Sequence, residues 1–126
     1  MSARTLVVDD DQATCRMIEL GLKADGHAVA IARSVSEAID VANSFEPEVV
    51  LTDLNMARAS GLDLCRHFAE SWPDVPVILV TAFGSLDTAV EALRAGAYDF
   101  ITKPFDIQRL AMLLQQVPRI SQIHAD

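Results

Sequence analysis

In this sequence acids, a hydroxyl residue and a lysine recur directly after short apolar runs. Asp9, Asp10 and Asp11 follow Leu6-Val-Val, and Asp53 follows Val49-Val-Leu-Thr52. Thr81 follows Val77-Ile-Leu-Val80, and Lys103 follows Tyr98-Asp-Phe-Ile-Thr102. If the runs are parallel strands of one open sheet, their carboxyl ends share an edge, where such sheets form ligand sites. Residues spread over nearly the whole chain then converge. Two carboxylates about 4 Å apart repel by roughly 4 kcal/mol at an effective dielectric of about 20. One lysine cannot offset several acids. A divalent cation can, and clustered oxygen donors that leave room for water suit Mg²⁺ or Mn²⁺. A carboxylate held by such an ion, beside an ammonium and a hydroxyl, is a receptacle for a phosphoryl group, because each partner takes charge on one phosphoryl oxygen. Carboxylate attack on phosphorus gives an acyl phosphate, and the nucleophile needs no general base because it is already ionised at neutral pH.

The elements that must position these groups alternate. Strands are expected at Thr5–Asp9, His27–Ala32, Val49–Thr52, Val77–Val80 and Tyr98–Thr102. The second is the weakest, because three alanines favour strand only modestly. Helical spacing runs from Gln12 to Ala24, with Met17, Leu20 and Ala24 on one side, and Gly26 stops it. Ser34 caps a helix to Phe45 with Ser34-Val-Ser-Glu37 at capping-box spacing, Ser36 being the alternative cap. Further helices run from Ser60 or Gly61 to Trp72, and from Ser85 to Ala95 with Leu86, Ala89, Val90 and Leu93 on one face. The last is capped by Asp106, carries Leu110, Leu113, Leu114 and Val117, and ends at Pro118. The apolar spacing of the last two helices reads mainly as core. Unbroken Val/Ile/Leu strands are those buried on both faces of a parallel sheet. The fold class is therefore α/β: a doubly wound (βα)₅ three-layer sandwich with a five-stranded parallel sheet. Residues 1–118 form one domain, and 119–126 read as a polar tail or linker stub.

Bulk composition narrows the function. With 126 residues, 51% hydrophobic and 22% charged, the chain has enough apolar material for one core. A formal charge of -8 disfavours phosphate-backbone contacts and anionic membrane surfaces, so neither nucleic acid nor membrane is an expected partner. No apolar run approaches a membrane span, and the first residues lack the apolar stretch of a secretory signal. Cys15 and Cys65 have no metal-type spacing and read as reduced packing thiols of a cytoplasmic protein. His27, His67 and His124 share no ligand spacing, and Trp72 reads as a packing residue.

Taken together, Leu6-Val-Val-Asp-Asp-Asp11, Thr52-Asp-Leu-Asn-Met56 with Gly61, Val80-Thr-Ala82 and Thr102-Lys-Pro-Phe105 resemble the response-regulator receiver family of two-component systems. The stretches Thr81–Val90 and Ala95–Phe100 look like receivers of the nitrogen-regulation type. The resemblance covers almost the whole chain and implies a flavodoxin-like strand order 2-1-3-4-5. It implies Asp53 as phospho-acceptor, Asp10 as a direct metal ligand, Asp9 as holder of metal-bound water, and the Asn55 carbonyl as a further ligand. It also implies Thr81 as the hydroxyl that moves to the phosphoryl group, Lys103 as its ammonium partner and Phe100 as the aromatic switch. A cis Lys103–Pro104 bond is expected with them. The donor is a histidine kinase or histidine phosphotransfer protein. The outcome is homodimerisation or contact with an output domain through helix 4, strand 5 and helix 5, where Arg94, Tyr98, Asp99, Arg109 and Met112 form a candidate partner face. Ala57 stands where the family often has proline, which leaves that loop less restrained. Phe83 is a candidate shield of the acyl phosphate against water.

Simpler readings compete. Asp11 is best taken as a helix cap, since acids favour helix N-termini. Asp53 alone would pass as a turn residue, Thr81 as strand filler, Lys103 as a solvated lysine and Phe100 as core. A phosphatase with an aspartyl nucleophile needs an acid two residues on, and Asn55 is not one. A nucleotide site would need a glycine-rich loop after the first strand, and none is present. A module that has abandoned phosphate would be free to lose one of Asp10, Asp53, Thr81 or Lys103, yet all four are here.

Overall fold

The computed structural model describes residues 3–56, 60–81, 86–103 and 106–115. Its elements alternate as β1 (Arg4–Val8), α1 (Gln12–Ala24), β2 (Ala28–Ala32), α2 (Val35–Phe45), β3 (Val49–Asp53), α3 (Gly61–Ser71), β4 (Val77–Thr81), α4 (Leu86–Arg94), β5 (Asp99–Thr102) and α5 (Ile107–Gln115). All pairings are parallel, in the order β2-β1-β3-β4-β5. This is the predicted doubly wound sandwich and strand order.

Period-two alternation along the central strands sorts the core into two layers. Leu6, Val8, Val50, Val77 and Leu79 meet Ala38 and Ala42 of α2, Leu64, Cys65 and Phe68 of α3, and Ala92 of α4. Val7, Val49, Leu51, Ile78, Val80 and Ile101 point the other way, against Ile18 and Leu22 of α1 and Leu110 and Leu114 of α5. The alanine-rich β2 survives as an edge strand because five consecutive residues pair in register with β1. Cys15 and Cys65 are buried free thiols, pushed up to about 11 and about 12 chiefly by desolvation.

Two helix faces differ from expectation. On α1 the buried stripe is Cys15, Ile18 and Leu22, whereas Met17 and Leu20 are 47% and 57% exposed. Both stripes share one helical spacing and lie some 200° apart, at 3.6 residues per turn. Periodicity alone does not choose between them. On α4 the inward residue is Ala92, and Val90 and Leu93 are exposed. Ala92, Ala95 and Ala97 line that side of the core, with Val90 and Leu93 outside it, while the side chains of Leu86 and Ala89 lie outside the described residues. The α5 reading holds for Leu110 and Leu114, while Leu113 is half-buried and Val117 lies outside the described residues. Ser34, not Ser36, caps α2, its Oγ accepting from the Glu37 N–H at 3.1 Å. The reciprocal capping box sits at α3 instead, between Ser60 and Asp63.

His27 is buried behind β1. Its Nδ1 accepts from the Ala3 N–H at 3.1 Å, while Nε2 meets no partner among the described residues. Burial holds the imidazole below its ordinary pKa of 6.5, against the opposing pull of Asp25. A folded-state value below the unfolded one means stability that is full above about 6.5 and is lost as pH falls through the folded value. The melting temperature should therefore drop by a few degrees between pH 7 and pH 5. His27→Leu should remove much of that slope in thermal melts across the range, and an unchanged slope would refute the assignment.

Candidate functional site

Strand register brings the chemistry-bearing residues to one edge. Val8 pairs with Thr52, so Asp9 and Asp53, the next residue of each chain segment, sit side by side. Asp53 pairs with Val80, which places Thr81 one step further along β4. Thr81 pairs with Thr102, and the Lys103 N–H donates to the Thr81 carbonyl at 2.7 Å. Four neighbouring strands thus deliver three side-chain chemistries to a single margin without any long loop.

One oxygen each of Asp9, Asp10 and Asp53 lie within 4.8 Å of one another. Asp9 and Asp53 are buried, at 3% and 8% exposure. The Lys103 ammonium approaches both, 3.5 Å from Asp9 Oδ2 and 3.5 Å from Asp53 Oδ1. Burial, then the charge of Asp9, raises the Asp53 carboxyl above the usual range, although Lys103 pulls it down. Burial alone would lower the Lys103 ammonium, but Asp9 and Asp53 together outweigh it and raise its pKa. The two shifts agree physically: the acids hold the lysine charged, while burial and the neighbouring acids together outweigh its pull on Asp53. Such a set of converging hard oxygen donors, short of positive charge, fits a divalent cation.

Surrounding residues hold these groups in place. The Asp9 carboxylate accepts from the Asp11 N–H at 2.9 Å, and the Cys15 thiol donates to the Asp9 carbonyl at 3.2 Å. Asp11 caps α1 by accepting from the Thr14 N–H at 3.1 Å, and also accepts from the Thr14 hydroxyl. The Asp10 carbonyl accepts from Arg33 at 3.3 Å. Asn55 is exposed and forms an antiparallel bridge with Ser60, and the Gly61 N–H donates to the Leu54 carbonyl at 2.9 Å. Sequence reasoning missed Cys15, Arg33 and Ser60 as supports. Nothing in spacing marks them, because each acts through a backbone carbonyl brought near only by folding.

Thr81 is buried at the end of β4. Phe100 is half-buried on β5, packed against the layer that holds Leu79 and Phe68. Pro104 of the expected cis peptide, Ala57, Phe83 and His124 lie outside the described residues. A groove of about 570 Å³ lies beside Phe100 on the β5–α5 surface, lined in part by Asp99, Arg109 and Met112. Tyr98 and Met112 are exposed, at 39% and 63%. Among the described residues no helix is long and apolar enough to cross a membrane.

The chain is similar to known proteins along nearly its full length. It is 37% identical over 123 residues to the response regulator protein PilR of Pseudomonas aeruginosa, covering 98% of this chain and 28% of PilR. NtrX from Brucella abortus superposes with a TM-score of 0.90 at 32% identity, over 99% of this chain and 29% of NtrX. A CheY-like receiver from Methanospirillum hungatei superposes at 0.90 and 26% identity, over 100% of both chains. This chain thus spans less than a third of PilR and of NtrX and the whole of a single receiver. Residues 5–115 match the family of the response regulator receiver domain, which covers both layers of the core and the acidic edge. The chain belongs to the response regulator receiver domain family of two-component signal transduction.

Proposed function

We propose that this chain is a cytoplasmic phosphorylation switch that takes a phosphoryl group onto Asp53 from a histidine kinase or histidine phosphotransfer protein. The observation that carries this reading is the convergence of Asp9, Asp10 and Asp53 within 4.8 Å, with Lys103 3.5 Å from Asp53. Asp9, Asp10, Asp53 and the Asn55 carbonyl would hold Mg²⁺ (or Mn²⁺), which supplies charge neutralisation for an incoming phosphoryl group. An Asp53 carboxylate oxygen attacks phosphorus, the phosphorus–nitrogen bond of the donor histidine breaks, and the imidazole leaves with its electron pair. Lys103 and Thr81 take charge on the transferred oxygens. The domain assists its own phosphorylation and dephosphorylation and turns over no independent substrate.

Phosphorylation must favour one of two arrangements to act as a signal. Thr81 and Phe100 are the residues whose movement would couple the acidic edge to the α4–β5–α5 surface. The exposed Tyr98 and Met112 give that surface apolar area for a second copy or an output domain of a longer parent chain.

The test is incubation with acetyl phosphate and MgCl₂ followed by intact-mass measurement. One phosphoryl adduct is expected, absent in Asp53→Asn and absent when the metal is chelated. An adduct that persists in Asp53→Asn would place the acceptor elsewhere and refute the assignment.

A further inference from the structure

We propose that Gly61 is a positioning residue for the cation site, resting on the reading of the acidic edge as a divalent-cation site. Its backbone is not in the left-handed region, so glycine is not required there for conformational freedom. Space is the requirement. A Cβ on Gly61 would stand 2.3 Å from the Asp53 carbonyl oxygen, 3.1 Å from the Asp53 carbonyl carbon and 3.0 Å from Leu79 Cδ2. The first residue of α3 therefore lies directly on the main chain of the proposed phospho-acceptor.

Both sides of this contact are tied into the fold. Leu64, Cys65 and Phe68 anchor α3 in the core with no exposed surface. Asp53 is paired with Val80, and the Leu54 N–H donates to the Val80 carbonyl at 2.9 Å. The backbone that must give is that of Leu54 and Asn55. It is tied to α3 by the Gly61 N–H on the Leu54 carbonyl, by the Ser60 hydroxyl on that same carbonyl at 3.4 Å, and by the Asn55–Ser60 bridge. Relieving a contact of 2.3 Å to the ordinary range of 3.4–4 Å takes about 1 Å of displacement, shared between the backbone of Asp53 to Asn55 and the start of α3. That backbone carries one carboxylate of the acid cluster and the Asn55 carbonyl. Supports one step behind metal ligands are typically worth about 10–100-fold in metal affinity.

Gly26 supplies the control. Its φ is +92°, so alanine there is strained, yet nothing lies within 4 Å of its Cβ position. Gly26→Ala lowers stability without touching the acidic edge. The experiment is calorimetric titration of MgCl₂ into the full chain, with thermal melts, for wild type, Gly61→Ala, Gly26→Ala and Ser60→Ala. Gly61→Ala is expected to raise the Mg²⁺ Kd about tenfold or more, while Gly26→Ala leaves it within about twofold although both melt lower. Ser60→Ala loosens the same turn without a clash and is expected to raise Kd about threefold, a fraction of the full support effect. A folded Gly61→Ala with wild-type affinity overturns the proposal. If that variant shows no cooperative melt, unchanged affinity in Ser60→Ala overturns it. A wild-type chain that binds no Mg²⁺ overturns the cation reading and this inference with it.

Discussion

Replacing Asp53 by asparagine should make the metal-free protein more stable, by about 1–2 kcal/mol at pH 7. Two like charges some 4 Å apart repel by roughly 4 kcal/mol at an effective dielectric of about 20, before partial offset by a cation. Asp9 and Asp53, both buried, bring one oxygen each within 4.8 Å, where the repulsion is of that order, and the single ammonium of Lys103 is shared between them at 3.5 Å each. The sign follows from linkage: a carboxyl whose folded pKa lies above its unfolded one destabilises the fold while ionised, and the penalty vanishes as acid protonates it. Asparagine keeps the shape and removes the charge. For a domain of this size the gain corresponds to a melting temperature higher by roughly 5–10 °C in EDTA. Magnesium should reverse the ranking, because binding at a hundred times Kd stabilises the wild type by about 2.7 kcal/mol and the variant far less. Melts of both proteins with EDTA and with MgCl₂ measure all four values. An asparagine variant that melts at or below wild type in EDTA would show that Lys103 already balances the site.

The second large effect is structural. Phe68→Ala is expected to cost about 3–5 kcal/mol, the range for removing a buried aromatic ring. Phe68 has no exposed surface. It lies in the layer of Leu6, Val8, Leu64 and Leu79, with Trp72 at a ring-centroid distance of 6.2 Å. Rigid β-sheet on one side and α3 on the other leave little room to collapse onto the cavity. With total stability of about 5–15 kcal/mol for a domain, the loss is a large share of it. The urea midpoint should fall by roughly 2 M at unchanged slope, and a shift below about 0.5 M would mean that the site relaxes.

Strand identity was legible because continuous apolar runs separated by helical spacing admit few architectures, whereas the strand order came from the family resemblance. The acidic edge was legible for a related reason. Asp9, Asp53, Thr81 and Lys103 each directly follow a run, and parallel strands convert that shared position into shared space. Helix orientation was less readable. Met17 and Leu20 compete with Cys15, Ile18 and Leu22 at equal spacing, and only the shape of the sheet surface decides which stripe is covered. Val90 and Leu93 look like core for the same reason, yet alanines fill the space. The supports at Cys15, Arg33 and Ser60 were not readable as site residues, because each works through a main-chain oxygen belonging to another segment.

The ammonium that sits between Asp9 and Asp53 comes from 94 residues downstream of the first of them, on the strand that closes the sheet's far edge. A chain in which only β1 to β4 have assembled therefore lacks the Lys103 ammonium that pairs with both Asp9 and Asp53. Docking of β5 both finishes the sheet and brings that ammonium to the two acids, which eases their repulsion in part.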